Sequence, residues 1–288
     1  EQIFSKLDSP KSIYQNIRLS NQDTNNLIKN PIVSAVSFTG STKAGMSVAK
    51  TSGSNLKKVL LELGGNDPYL IFSDASIDDA IHSCIEGRLL NSGQSCISAK
   101  RIIVSEKIYE EFLYKIIKKL KQKTIGDPTT GIDIGPLVSV EARDKVEDQV
   151  QRSVKAGAKL LMGGFISNPK NAFYPITVLS EVTPGMVAFD DEIFGPVAAL
   201  QLFTDQEDVI RRANDTEYGL VAYVFSENMK RALQVCERLD YGMVGLNRGL
   251  VSDPAAPFGG TKQTGLGREG GHEGMLEFME TQYISASW

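Results

Sequence analysis

Histidine is nearly missing from this chain: there are two in 288 residues, His82 and His272. Neither sits in a C-x-x-C or H-x-x-x-H setting, so the sequence offers no metal ligand set. A reactive side chain here is expected to find its base in a carboxylate rather than an imidazole. Cysteine is almost as scarce, and three widely separated thiols do not make a disulfide framework. No stretch reads as a signal peptide or a long apolar span, so a reducing, cytoplasmic setting is expected. A basic excess is absent too: 31 Lys and Arg stand against 35 Asp and Glu, with the signs interspersed. Neither nucleic acid nor an anionic membrane is therefore an expected partner. The one lysine cluster, 115–123, belongs to an amphipathic helix that buries Ile108, Phe112, Ile116, Ile117 and Leu120, with its lysines near the C-terminus where the helix dipole favours them.

What is present is an ordinary globular composition, 41% hydrophobic and 23% charged, with length for one large or two modest cores. After a polar stretch reaching Asn30, short β-rich runs alternate with amphipathic helices, the pattern of an α/β protein with largely parallel strands. Strands are expected at 33–38, 59–63, 68–72, 102–104, 159–162, 198–203, 222–225 and 243–246. Eight glycines and two prolines between 249 and 274 argue against regular structure there. The last run, 276–285, reads as an edge strand suited to pairing with another subunit. The chain opens on Glu1 without a methionine and reads as a fragment.

Among the cysteines only Cys96 lies in a loop of small polar residues, Asn91-Ser92-Gly93-Gln94-Ser95-Cys96-Ile97-Ser98. Cys84 and Cys236 fall on the apolar faces of predicted helices, where a thiol serves as a small hydrophobe. Cys96 alone invites a nucleophile hypothesis. Glu62 interrupts an otherwise apolar strand just before Gly64-Gly65. Burial there would raise its pKa toward the range of a general base, and the alternative is an edge-strand glutamate facing water. Gly40-Ser41-Thr42-Lys43-Ala44-Gly45 lies between a strand and a helix. Backbone N–H groups could hold a phosphate there, although plain turn chemistry explains the glycines equally well. Asp190-Asp191-Glu192 runs into Ile193-Phe194-Gly195-Pro196, which alone suggests a solvated charge run.

Taken in order, these segments resemble the signatures of the aldehyde dehydrogenase superfamily: Phe38-Thr39-Gly40-Ser41-Thr42, Leu61-Glu62-Leu63-Gly64-Gly65, Gly93-Gln94-Ser95-Cys96, Glu192-Ile193-Phe194-Gly195-Pro196 and Pro257-Phe258-Gly259-Gly260. Within it, 245–252 and 262–270 look most like the succinate-semialdehyde dehydrogenases. The resemblance implies that Cys96 attacks an aldehyde and that hydride leaves the thiohemiacetal for NAD or NADP. Glu62 is then the base that activates water on the remaining thioester. By the same resemblance Gly40, Ser41, Gly45, Leu63, Glu192 and Phe194 bind the cofactor, and the Cys96 N–H donates to the oxyanion. A homodimer or homotetramer is implied for the complete enzyme. Residues 1–62 would be the later part of a dinucleotide-binding domain, 63–261 the catalytic domain and 262–288 a closing tail with the oligomerisation strand.

Two family segments, a Pro-Trp-Asn and a Lys-Pro strand, are not in this sequence. The chain alone is therefore expected to transfer no hydride. Where many succinate-semialdehyde enzymes carry an arginine, six residues before the cysteine, this chain has Leu90. Arg88, Arg248 and Ser252 are the substitutes available to bind a substrate carboxylate, with Arg248 and Ser252 expected to do so; Arg88, turned about 160° from Leu90 if both share one helix, reads rather as a surface residue. Ser98 stands where some relatives have a second, disulfide-forming cysteine, which removes that redox switch. The rival readings are a cofactor-independent cysteine hydrolase using His82 or His272, and a non-catalytic assembly fragment.

Overall fold

The fold is given by a computed structural model, which describes residues 3–8, 10 and 12–288. Helix α1 (Asn21–Lys29) is capped by Ser20, whose side chain accepts from the Asp23 N–H. It went unread in the sequence because only Ile28 is buried in it. Strand β1 (Ala35–Thr39), helix α2 (Thr42–Gly53) and strand β2 (Lys58–Glu62) form a parallel β-α-β unit.

A second sheet begins with β3 (Pro68–Ile71). It continues through α3 (Ile77–Leu89), β4 (Arg101–Ser105), α4 (Tyr109–Leu120), α5 (Val140–Lys155), β5 (Lys159–Met162) and β6 (Thr177–Ser180). Then come α6 (Val187–Asp190), β7 (Val197–Phe203), α7 (Gln206–Asn214), β8 (Tyr218–Gly219), β9 (Val221–Phe225), α8 (Met229–Cys236) and β10 (Met243–Leu246). Seven strands pair in the order β10-β9-β3-β4-β7-β6-β5, all parallel except β5 against β6. Both faces are covered, as a parallel sheet requires. On β3, Tyr69 and Ile71 join a core with Cys84 of α3 and Phe112 of α4, while Leu70 joins the opposite core with Val209 of α7 and Val235 of α8. Cys84 is fully buried, and Cys236 packs against the second core. No described helix is long and apolar enough to cross a membrane.

The glycine-rich tail is largely irregular but holds two short strands. Strand β11 (Thr261–Lys262) pairs with β8, and β12 (Gly265–Leu266) returns to β2, setting Gly265 opposite Glu62. A Cβ on Gly265 would stand 1.8 Å from the Leu61 carbonyl, at a φ of +147°, so no larger residue fits the pairing. Helix α9 (Gly271–Leu276) follows. The strand expected at 276–285 is not formed: Leu276 ends α9, Glu277 is half-buried, and the residues from 278 on are exposed and irregular. A lone edge segment has no ladder to join, so without a neighbouring strand its β-propensity yields no strand.

Candidate active site

Helix α3 ends at Leu89 and the chain reverses through a 3-10 turn, Leu90–Gly93, in which Asn91, Ser92 and Gly93 all take positive φ. Two non-glycine residues in this region are strained, and hydrogen bonds hold them. Asn91 and Gln94 exchange side-chain-to-carbonyl bonds, Ser92 Oγ donates to the Gly135 carbonyl, and Gln94 Oε1 accepts from the Val138 N–H at 2.8 Å. A Cβ on Gly93 would lie 2.3 Å from the Gly195 carbonyl. The cysteine loop is thus pressed directly onto the Glu192–Pro196 segment.

Arg88 fastens the two together. It is 2% exposed, which corrects its reading as a surface residue. Its guanidinium donates to the carbonyls of Val197 (2.6 Å), Ile193 (2.9 Å) and Gly195, and to Ser98 Oγ at 2.8 Å. Burial lowers its pKa to about 10, with nearby Cys84, Glu192 and Asp67 opposing the shift. Arg88→Met would leave three carbonyls and a hydroxyl without their donor. We expect a loss of about 3 kcal/mol or more in denaturant unfolding, because unsatisfied buried acceptors cost roughly 1–3 kcal/mol each.

Cys96 is partly buried in this loop. Burial pushes its thiol above the ordinary value; Lys100 acts downward, and Asp67 and Glu62 add to the rise. Glu62, at the end of β2, is 3% exposed, so the water-facing alternative is excluded. Both its carboxylate oxygens are buried without a hydrogen-bond partner. Its pKa is raised to about 8 by burial first and by Glu269 second, against Arg268. The tail covers it: a Cβ on Gly259 would stand 2.8 Å from Glu62 Oε1. Thr264 locks the tail down, its carbonyl accepting from the Leu63 N–H at 2.7 Å and its hydroxyl donating to the Gly64 carbonyl at 2.9 Å.

Gly64 and Gly65 are where the groups converge. A Cβ on Gly64 would lie 2.8 Å from Glu192 Oε2, and one on Gly65 would lie 3.1 Å from the Cys96 carbonyl. Glu192 Oε1 accepts from the Gly65 N–H at 3.2 Å. Phe194, 42% exposed, borders a surface hollow with Asn91, Gln94 and Pro136. On the other side Gly40 donates its N–H to the Glu62 carbonyl. Ser41 is the N-cap of α2, accepting from the Ala44 N–H at 3.3 Å. Gly45 makes room for Leu63, whose side chain would stand 2.3 Å from a Cβ there.

Arg248 and Ser252 are exposed on the loop after β10. Tyr69 Oη ties that loop to α3, donating to the Gly249 carbonyl at 2.9 Å and the Ser83 carbonyl at 3.2 Å. Arg248 also acts electrostatically on Tyr223, whose hydroxyl donates to the Ile97 carbonyl beside Cys96. His82 is exposed and faces Glu86 at 3.4 Å.

Two groups beside the thiol escaped the sequence reading. Lys100, 3% exposed, and Asp67, fully buried, pair at 3.1 Å. Each immediately precedes an apolar strand, and β3 and β4 pair with Pro68 opposite Arg101, which sets the two charges side by side. A charge immediately ahead of each strand, Asp67 before β3 and Lys100 before β4, was the available signal, and strand adjacency was the missing information.

The sequence profile of the aldehyde dehydrogenase family matches residues 1–284, and the chain belongs to that family. A probable NADP(+) succinate-semialdehyde dehydrogenase of Sinorhizobium fredii is 41% identical over 90% of this chain and 53% of its own length. The mitochondrial succinate-semialdehyde dehydrogenase of Arabidopsis thaliana is 43% identical over 90% of this chain and 49% of its own. The solved succinate-semialdehyde dehydrogenase from Burkholderia pseudomallei superposes with a TM-score of 0.86 at 42% identity, over 88% of this chain and 53% of that one. The chain spans about half the length of the curated relatives it matches.

Proposed function

We propose that this chain carries the thiol and the base of an NAD(P)-dependent enzyme that oxidises an aldehyde to a carboxylic acid, with succinic semialdehyde as substrate. The observation that carries the reading is Glu62, a buried carboxylate with no hydrogen-bond partner, raised to about 8 and close enough to act electrostatically on Cys96. A carboxyl group left in that condition is costly for folding alone, and it suits a group that must take a proton near neutral pH.

The Cys96 thiol gives up its proton to solvent, and the thiolate adds to the carbonyl carbon while the Cys96 backbone N–H donates to the developing oxyanion. NAD or NADP, when bound, would supply the acceptor for the hydride that leaves the thiohemiacetal carbon. Cys96 then holds a thioester, and Glu62 takes a proton from the water that attacks it, releasing the acid and restoring the thiol. The residues present fit the nicotinamide-ribose side of such a cofactor. Gly64 lets Glu192 approach the backbone, Gly65 orients its carboxylate, and Phe194 lies exposed nearby. Gly40 and Ser41 open α2, whose first-turn amides suit a pyrophosphate; Gly45 and Leu63 fix that helix against β2. In this reading residues 1–62 serve the cofactor, 63–261 the chemistry, and 262–288 close the site in a homodimer or homotetramer.

Arg248 and Ser252 take the distal carboxylate, since Leu90 is apolar and 43% exposed. In the full-length enzyme, Arg248→Met with Ser252→Ala should cut kcat/KM for succinic semialdehyde relative to a neutral aldehyde of equal length by about tenfold to a hundredfold, the worth of a charged hydrogen bond. An unchanged ratio would count against both residues.

A further inference from the structure

Lys100 is a buried ammonium that donates to the Cys96 carbonyl at 2.5 Å and to Asp67 Oδ2 at 3.1 Å, and it forms an ion pair with Glu192 Oε1 at 3.4 Å. Two of its three protons are used in hydrogen bonds, and its charge is shared with a second carboxylate. Its counter-charge is equally fixed, since Asp67 Oδ1 accepts from the Val221 N–H at 3.1 Å and the Asp67 carbonyl accepts from the Lys100 and Arg101 N–H groups. Gly65 leaves room for the arrangement; a Cβ there would stand 3.0 Å from Asp67 Oδ2. Nothing in the chemistry proposed above uses either charge, and two surface groups would have served an ordinary tie between strands at less desolvation cost.

We infer that Lys100 is a positioning residue that holds the nucleophile loop and the Glu192 carboxylate on one ammonium, and that Lys100 and Asp67 act in opposite senses on the Cys96 thiolate. This rests on Cys96 being the nucleophile. The charged or titratable groups that bear on the thiol are Lys100, Asp67 and Glu62, with the Tyr223 hydroxyl bonded to the next residue's carbonyl and Glu192 paired with Lys100. Lys100 is the cation among them, and it donates to the cysteine's own carbonyl. Asp67 moderates it from behind.

The test is a pH titration of the Cys96 Cβ resonance by NMR in chain labelled at cysteine with carbon-13. The signal is assigned by its loss in Cys96→Ser, and iodoacetamide alkylation is followed in parallel. Lys100→Met should move the thiol midpoint upward and slow alkylation several-fold near neutral pH. Asp67→Asn should move it downward and speed alkylation, because Asn still accepts from Val221 but no longer balances the ammonium. A general loosening of the loop would move both variants the same way, and that outcome, or no movement in either, overturns the inference. If Lys100→Met fails to fold, the double variant Lys100→Met with Asp67→Asn leaves no unpaired charge at this pair and should still titrate above the parent; a midpoint at or below the parent overturns the inference. A thiol inert to alkylation that nevertheless shows the two opposite shifts overturns the nucleophile reading instead.

Discussion

Replacing Cys96 with alanine is expected to reduce aldehyde oxidation by the full-length enzyme to background, a loss of about a millionfold, as when a covalent nucleophile is removed from other enzymes. The fold should persist. Cys96 sits partly buried in a loop held by Arg88, Gln94 and Lys100 through groups other than its thiol, so the unfolding midpoint should change little. Iodoacetamide labelling of the native chain should also fall to what the partly buried Cys236 takes up, because Cys84 is fully buried with its thiol pushed up to about 12. Turnover that survives this substitution would remove Cys96 from the mechanism, and with it the thiohemiacetal route.

Glu62→Gln should divide the reaction rather than abolish it. Formation of the thioester needs the thiolate and the bound cofactor, whereas its hydrolysis needs a base to take a proton from the attacking water. Stopped-flow measurement should therefore keep a single-turnover burst of reduced cofactor while steady-state turnover drops by about a hundredfold to ten-thousandfold. Since the carboxyl must lose its proton to act, the limiting hydrolytic step of the parent should quicken as pH rises through about 8. That dependence should vanish in the variant, and a variant that keeps it has another base.

Stability carries the opposite sign. The folded pKa of Glu62 lies above its value of 4.5 in the free chain, so between the two the native state holds a proton the unfolded state has released. Its contribution to stability is complete at low pH and declines as pH rises from 4.5 through about 8. Glutamine has no proton to lose. Thermal unfolding should find Glu62→Gln more stable than the parent above pH 8, by a few kcal/mol at most, with the advantage shrinking on acidification. One substitution should thus slow hydrolysis and stabilise the alkaline fold, an outcome expected where a buried charge is kept for chemistry.

Most of the parallel sheet could be read from alternation along the chain. The runs 159–162 and 243–246 form the strands expected, and β2, β3, β4, β7 and β9 fall within one or two residues of their predicted limits. Helix α1 and strand β6 were missed for different reasons. The first buries one side chain and shows little periodicity; the second is four residues long and follows a loop rich in asparagine and proline. The tail is largely irregular, as its composition implies, apart from β11, β12 and the start of α9. Glycine is dense there because the backbone must approach Leu61, Glu62 and Thr264 closely, as Gly265, Gly259 and Gly260 do.

Local chemistry, written in the order of residues, was enough to single out Cys96 from the other thiols and to mark Glu62 as a carboxylate in an apolar strand. Membership of the family followed from motifs that each occupy one short segment. What only the tertiary structure decided was the company those residues keep. Arg88 turns inward to four partners more than 90 positions away or across the loop, and Lys100 and Asp67, 33 positions apart, share one buried pair. Burial and pairing between distant segments depend on strand order and helix packing, which no local pattern specifies. The same long-range packing raises Glu62 to about 8 and sets a cation beside the Cys96 carbonyl.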